Sequence, residues 1–330
     1  MKNLSLFLQH SRTGRLLAGN LVLALAVVYF LALWPVVPGL ASGNNLKNLF
    51  SNMLPLLIVA VGQTFVLITA GIDLSVTSLI ALSSVTGALI MNEGSGWMQG
   101  SLWSVPVALL AMLFVGTLLG LMNGLAVARL GMPPFMVTLT VMMFAGGFAI
   151  WLTQSRNLYQ LPRLFIDLAQ KSWLGVPNAL VLTVLLAALA HIVLSRSLLG
   201  RWIYAVGINP VAAEISGVPV GRTIVWAYAL SGFCAAVASI LYTGRLETGS
   251  PVLGRGIFLD VIGAVVIGGN SLSGGRGKIL WTVFGVLFIS LVDNSLNLLG
   301  LSNFNILVVK GGIILLAALL DALRIRWIKA

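Results

Sequence analysis

The sequence predicts an all-α, polytopic membrane protein with about ten transmembrane helices and both termini in the cytoplasm. Three observations carry that expectation. Of 330 residues, 59% are hydrophobic and only 8% charged, whereas a soluble domain carries roughly a quarter charged residues. Several windows have almost no charge over 18 residues or more, the length that crosses a hydrocarbon core of about 30 Å. The lysines and arginines also fall unevenly on the segments between those windows.

Leu16–Trp34 is the first expected span, closed by Pro35 and Pro38, which cannot continue a helix. Asn44–Asn52 is polar and amphipathic and reads as interfacial, ahead of the second span at Met53–Thr69. The stretch Ala70–Ser75, AGIDLS, interrupts the apolar run, and Val76–Met91 is the third span. Leu102–Val127 is the fourth, followed by a tight basic turn, Arg129–Pro134, and the fifth span, Phe135–Leu152. A longer loop, Thr153–Pro177, leads to the sixth at Ala179–Leu194. Thr223–Tyr242 is the seventh. Phe258–Ile267 is a short eighth, ended by Gly268 and Gly269. Ile279–Leu298 and Phe304–Leu320 are the ninth and tenth, before a basic tail at Arg324–Lys329.

With the N-terminus inside, the inner segments carry Lys2, Arg12, Arg15, Arg129, Arg196, Arg201, Arg222, Arg276, Lys278, Arg324, Arg326 and Lys329. The outer ones carry half as many: Lys47, Arg156, Arg163, Lys171, Arg245 and Arg255, with Lys310 inside the last run. Positive residues stay cytoplasmic, so the bias sets this orientation. The net charge of +11 therefore reflects topology and not nucleic-acid binding. The single cysteine, Cys234, excludes an intrachain disulfide and a cysteine metal cluster, and His10 and His191 are far apart. The start, Met1–Arg15, precedes an apolar run without a small-x-small cleavage site, which reads as a span and not a removed signal.

Between the sixth and seventh spans lies a polar insert, Leu199–Val220, LGRWIYAVGINPVAAEISGVPV. Asn209 suits an N-cap, Pro210 the first helical turn, and Gly217 with Pro219 a stop. A short capped helix over Val211–Ser216, held outside the membrane, is placed to touch another protein. An ordinary solvated loop is the plainer alternative.

Four stretches together resemble the permease subunit of bacterial ABC importers for monosaccharides, the ribose-type family: Val61–Ser83, Met122–Leu139, Gly200–Val220 and Asp260–Leu287. They occur in the family's order, and the resemblance extends over nearly the whole chain. The resemblance implies a single transmembrane permease domain over 1–330 that sits in the inner membrane as a pair, with a second copy or a paralogue. It also implies a cytoplasmic ABC ATPase subunit, which binds ATP and magnesium, and a periplasmic sugar-binding protein. No cofactor is implied for this chain. The ATPase is expected to meet the coupling segment 197–222, at Asn209, Ala212, Ala213, Glu214, Ser216 and Gly217. Five positions depart from the family's usual pattern: Ala70, Thr77 and Ile208 where glycine is common, Glu214 where a basic residue is common, and Leu259 where an acidic one precedes the aspartate. The reversed charge at Glu214 points to a dedicated ATPase with a basic groove.

Polar groups inside apolar runs supply the substrate-path or gate candidates: Asp73, Ser75, Asn123, Asp260, Asn270, Asp293, Asn294 and Asn297. A carboxylate at membrane depth costs at least roughly 2.5–3.5 kcal/mol, so each must face protein or water. Asp73, with Ser75 beside it, is expected to cap the third span and to shape the gate. Asn294 and Asn297 share a helix face, which either lines a sugar path or glues helices together. Lys310 is a candidate neutraliser of Asp293. Gly71–Ser75 (GIDLS) and Gly269–Ser273 (GNSLS) echo one another, which fits a duplicated transporter fold or the chance likeness of small-residue segments. The GGRGK stretch, Gly274–Lys278, lacks the full P-loop pattern because Ile279 follows the lysine. The chain itself is therefore not expected to hydrolyse ATP. An ABC permease for nucleosides, purine-like ligands or branched amino acids, and an ion-coupled secondary transporter, are the rival functions.

Overall fold

The computed structural model describes residues 21–329 apart from 174, and there it forms thirteen α-helices and one minimal β-hairpin. The polar start, 1–15, lies outside the described residues. In chain order the elements are α1 (Leu21–Leu33), α2 (Gly43–Ile68), α3 (Val76–Met91), α4 (Ser104–Arg129), α5 (Pro134–Thr153), α6 (Arg163–Gln170), the hairpin β1–β2 (Ser172–Trp173 with Val176–Pro177), α7 (Asn178–Arg196), α8 (Leu198–Ile208), α9 (Pro210–Ile215), α10 (Val220–Leu246), α11 (Ile257–Ile267), α12 (Ile279–Leu298) and α13 (Asn303–Lys329). Six of these, α2, α4, α5, α7, α10 and α12, are long and apolar enough to cross a membrane. α11 rises only about 16 Å at 1.5 Å per residue, about half the apolar thickness.

Three sequence expectations are corrected. The polar stretch Asn44–Asn52 is not a separate interfacial segment but the first turns of α2. Ser42 caps that helix by accepting the Asn45 N–H at 3.3 Å, and the Asn45 amide finds a partner in Asn294 at 2.9 Å. The loop Thr153–Pro177 holds the amphipathic α6, which buries Phe165 and Ile166, and the hairpin. The polar insert begins with a helix, α8, which buries Gly200, Ile203, Val206 and Gly207. The basic tail Arg324–Lys329, whose conformation the sequence leaves open, is the end of α13.

α2 and α10 form the centre: 89% of the apolar window of α2 and 72% of that of α10 are buried, against 22% for α5 and 17% for α7. α10 crosses α4 closely because both helices carry glycines at the contact. A Cβ on Gly116 would stand 2.7 Å from that of Ala236, and one on Gly124 2.7 Å from the Val225 Cα. Without a hydrophobic drive between helices in lipid, such backbone approach supplies the packing.

The connections gather at two ends. At the α9 end, the Gly275 N–H donates to the Ile68 carbonyl at 2.8 Å and the Tyr204 hydroxyl to the Gly277 carbonyl at 2.6 Å. At the hairpin end, the Glu93 N–H donates to the Gln160 carbonyl at 2.9 Å, Leu158 bridges Gly249, and Gln170 bonds Glu247 at 3.0 Å. The segments meeting at each end are those that a chain crossing back and forth would leave on one side.

Candidate functional site

Asp73 lies in the break between α2 and α3, wholly buried. One carboxylate oxygen accepts the Ser75 N–H at 3.0 Å and the Ser75 hydroxyl at 2.6 Å. The other accepts the Ser231 hydroxyl of α10 at 2.8 Å. Asn123 of α4 donates to the Ser75 hydroxyl at 2.8 Å. With its amide oxygen and nitrogen interchanged, Gln63 of α2 meets the Asp73 N–H and carbonyl at 3.1 and 3.2 Å. Asp73 thus holds the start of α3, although Ser75 and not Asp73 occupies the N-cap position. The arrangement is a polar knot of α2, α4 and α10 closed to solvent: Asp73, Ser75 and Asn123 are each 0% exposed.

The second break, between α11 and α12, is built in the same manner. Asn270, nearly fully buried, donates to the Val265 carbonyl at 2.7 Å and the Thr282 hydroxyl at 3.1 Å, and accepts the Lys278 N–H at 2.8 Å. Thr282 in turn bonds Thr64 of α2 at 2.7 Å. The residues flanking the two echoing segments meet: the Gly275 N–H bonds the Ile68 carbonyl, and Gly274 packs on Ala70.

The other four path candidates come together around one cavity of about 470 Å³ at the hairpin half of the bundle, between α2, α10, α11 and α12. Asp260, Asp293, Asn294 and Asn297 all line it. The Lys310 ammonium, on α13, sits 2.8 Å from a carboxylate oxygen of Asp260 and 2.8 Å from one of Asp293. Asn297 donates to the second oxygen of Asp293 at 3.2 Å. Asn294 is occupied by its reciprocal amide pair with Asn45. Lys310 as a partner of Asp293 was legible from sequence; its simultaneous contact with Asp260 was not, because fifty positions of chain separate the two.

The coupling segment carries the expected cap. Asn209 accepts the Val211 and Ala212 N–H groups at 3.0 and 3.1 Å, and Gly217 takes a positive φ of 81° just after α9. Ala212, Glu214 and Ser216 are exposed, whereas Ala213 is buried against its own chain. Two large apolar side chains that sequence reasoning passed over, Val211 and Ile215, are 66% and 84% exposed. Glu214 shares a groove with Arg129, Arg222 and Trp226.

A family model described as the permease component of a branched-chain amino acid transport system matches residues 45–318. The chain belongs to this permease family. Among curated relatives, the ribose import permease protein RbsC of Haemophilus influenzae is 35% identical, with 90% of this chain and 91% of that protein covered. RbsC of Bacillus subtilis is 39% identical over 86% of each chain. The D-allose transport system permease protein AlsC of Escherichia coli is 32% identical over 92% of this chain and 90% of its own. No solved structure matches. The resemblance to ribose-type sugar ABC permeases, drawn from four stretches of residues, stands as family membership. The permease is a multi-pass inner-membrane protein and a transport subunit, not an enzyme. Lys310 and Asp293 lie outside those four stretches, whereas the exposed apolar pair on α9 lies within Gly200–Val220.

Proposed function

We propose that this permease is the translocation subunit of an ATP-driven importer for a monosaccharide, pentose or hexose. The likeness that carries the reading is to permeases named for ribose and D-allose across nearly the whole chain. The chain acts as one transmembrane domain, 1–330, crossing about ten times with both termini cytoplasmic. This orientation follows from the two-to-one excess of Lys and Arg on the α9 side. It works in lipid with a second copy or paralogue, a periplasmic sugar-binding protein and a cytoplasmic ATPase pair.

The segment 197–222 is the handle. A rigid, capped α9 with exposed Val211 and Ile215 fits a groove that grips apolar side chains, as helix-in-groove contacts do. Closure of the ATPases around ATP displaces α9. The motion passes through α8 to the paired breaks at Asp73 and Asn270, because Gly207 packs against Ile68 and Gly275. Asp73, Ser75, Asn123 and Asn270 keep those breaks in register as the gate moves. Asp260, Asp293, Asn294 and Asn297 face the sugar path.

The test is reconstitution of the permease with candidate ATPases and binding proteins in vesicles. ATP-dependent uptake of labelled ribose, allose or arabinose is expected. Uptake driven by a proton gradient without ATPase, or no uptake of any sugar with an assembled complex, overturns the reading.

A further inference from the structure

We infer that the cavity between α2, α10, α11 and α12 is a binding site for one neutral monosaccharide, with Lys310 as the residue that sets its charge. This rests on the importer reading and goes beyond it by assigning the sugar a resting place inside a single permease chain.

Four observations lead there. Polar groups among membrane helices normally find protein partners, because hydrocarbon offers none. Around this cavity three do not: among the described residues, the side chains of Tyr242 and Ser290, and of the exposed Asn52, make no hydrogen bond, although all three line the same space. Asp260 adds to this. One of its oxygens is held by the Lys310 ammonium at 2.8 Å, and the other makes no hydrogen bond among the described residues. The site therefore offers an amide, two hydroxyls and the carboxylate lone pairs that Lys310 and Asn297 leave free.

The volume, about 470 Å³, lies in the range of small-ligand sites. Charge selects the ligand class. Two carboxylates already share one ammonium, so an anion meets repulsion, and a cation must compete with Lys310 held at 2.8 Å from both acids. A neutral polyol suffers neither penalty, and its hydroxyls donate to Asp260 and Asp293 while accepting from Asn52 and Ser290. The Tyr242 ring supplies an apolar face. Finally, the cavity lies at the hairpin half, which is the periplasmic half in the proposed orientation, where a sugar arrives.

Cys234 is the only cysteine and is buried, so a cysteine placed at the exposed Asn52 reports the cavity alone. The full-length Asn52→Cys permease is purified in detergent and modified with a small methanethiosulfonate reagent. D-ribose, D-allose or L-arabinose is expected to slow modification about tenfold at roughly ten times its dissociation constant, by mass action. Sodium chloride at matched osmolarity is expected to have no effect. Ser290→Ala in this background, which changes no charge, is expected to raise the half-protecting sugar concentration about 2- to 10-fold, the worth of one hydrogen bond. Lys310→Met is expected to abolish protection, and Lys310→Arg to retain it. Lack of protection by every sugar tested, or protection by sodium chloride instead, overturns the site. ATP-driven uptake by the wild-type complex is measured in parallel: uptake without protection removes only this site, whereas no uptake of any sugar removes the importer reading beneath it.

Discussion

The hydroxyl of Ser231 donates to the Asp73 carboxylate at 2.8 Å, across 158 positions of chain, and so ties the central helix α10 to the break between α2 and α3. The same carboxylate holds the backbone and side chain of Ser75, so its removal orphans several buried donors at once. Leaving a buried donor unsatisfied costs about 1–3 kcal/mol. Ser231→Ala is therefore expected to lower the melting temperature of the detergent-purified permease moderately, and Asp73→Ala to lower it more. Because the two residues share one bond, the double variant is expected to be less destabilised than the two single effects added. Thermal melting followed by size exclusion measures all three, and additive losses would show that Ser231 and Asp73 are not coupled.

Ala70 takes a φ of 62°, a left-handed conformation that costs an L-residue roughly 1–2 kcal/mol. The conformation is imposed from outside: the Ala70 N–H bonds the Leu67 carbonyl at 2.9 Å, and Gly274 packs against the residue from the second break. Ala70→Gly is expected to stabilise the permease by about 0.5–1 kcal/mol, the relief being partly offset by glycine's greater freedom in the unfolded chain. A melting temperature unchanged or lowered by this substitution would count against strain at this position.

A pair of glycines separates close packing from mere composition. A Cβ on Gly124 would sit 2.7 Å from the Val225 Cα and 3.0 Å from its carbonyl oxygen, both backbone atoms that cannot turn aside. A Cβ on Gly147, in α5, would meet nothing within 4 Å. Gly124→Ala is expected to push α4 from α10 and destabilise by about 1–3 kcal/mol, as overpacking does. Gly147→Ala is expected to be neutral or slightly stabilising, because alanine is the better helix former. Yield of monodisperse protein and melting temperature read both, and equal behaviour of the two variants would refute the close approach.

How much of this was legible follows from what hydropathy can and cannot register. The windows Val76–Met91 and Ile279–Leu298 coincide with α3 and α12 because unbroken apolar runs between polar breaks leave little choice. The first half of α2 was misread because Asn44, Asn45, Lys47 and Asn48 lower the local hydropathy, while a helix needs only a cap and a polar partner, and Asn294 is that partner. α8 was hidden by Gly200, Arg201 and Gly207; the glycines are there to let it approach Leu194 and Ile68, not to break it. At the site, buried carboxylates announced themselves by their cost in lipid. Their partners did not: a serine such as Ser231 is common in membrane helices, and only the fold shows that it faces Asp73.

Glu214 is exposed on α9, at the proposed ATPase contact, and lines a groove with Arg129 and Arg222 of its own chain. Its carboxylate offsets one of the two guanidinium charges of that groove, and even a formed exposed ion pair adds little to stability, about 0–1 kcal/mol. Glu214→Arg would place three cations around that groove and reverse the sign presented to a partner. Membrane insertion and melting temperature are expected to change little, because the side chain makes no ion pair within 4 Å among the described residues. Coupling is a different matter: like charges facing one another across an interface cost several kcal/mol, so stimulation of ATP turnover by the binding protein and sugar is expected to fall at least tenfold. Glu214→Gln, which removes charge without reversing it, is expected to fall between the two. The measurement is ATP hydrolysis by the reconstituted complex beside uptake of labelled sugar. Intact stimulation in Glu214→Arg would remove α9 from the ATPase contact, whereas its loss together with a large drop in melting temperature would mean that Glu214 holds the fold and not the partner.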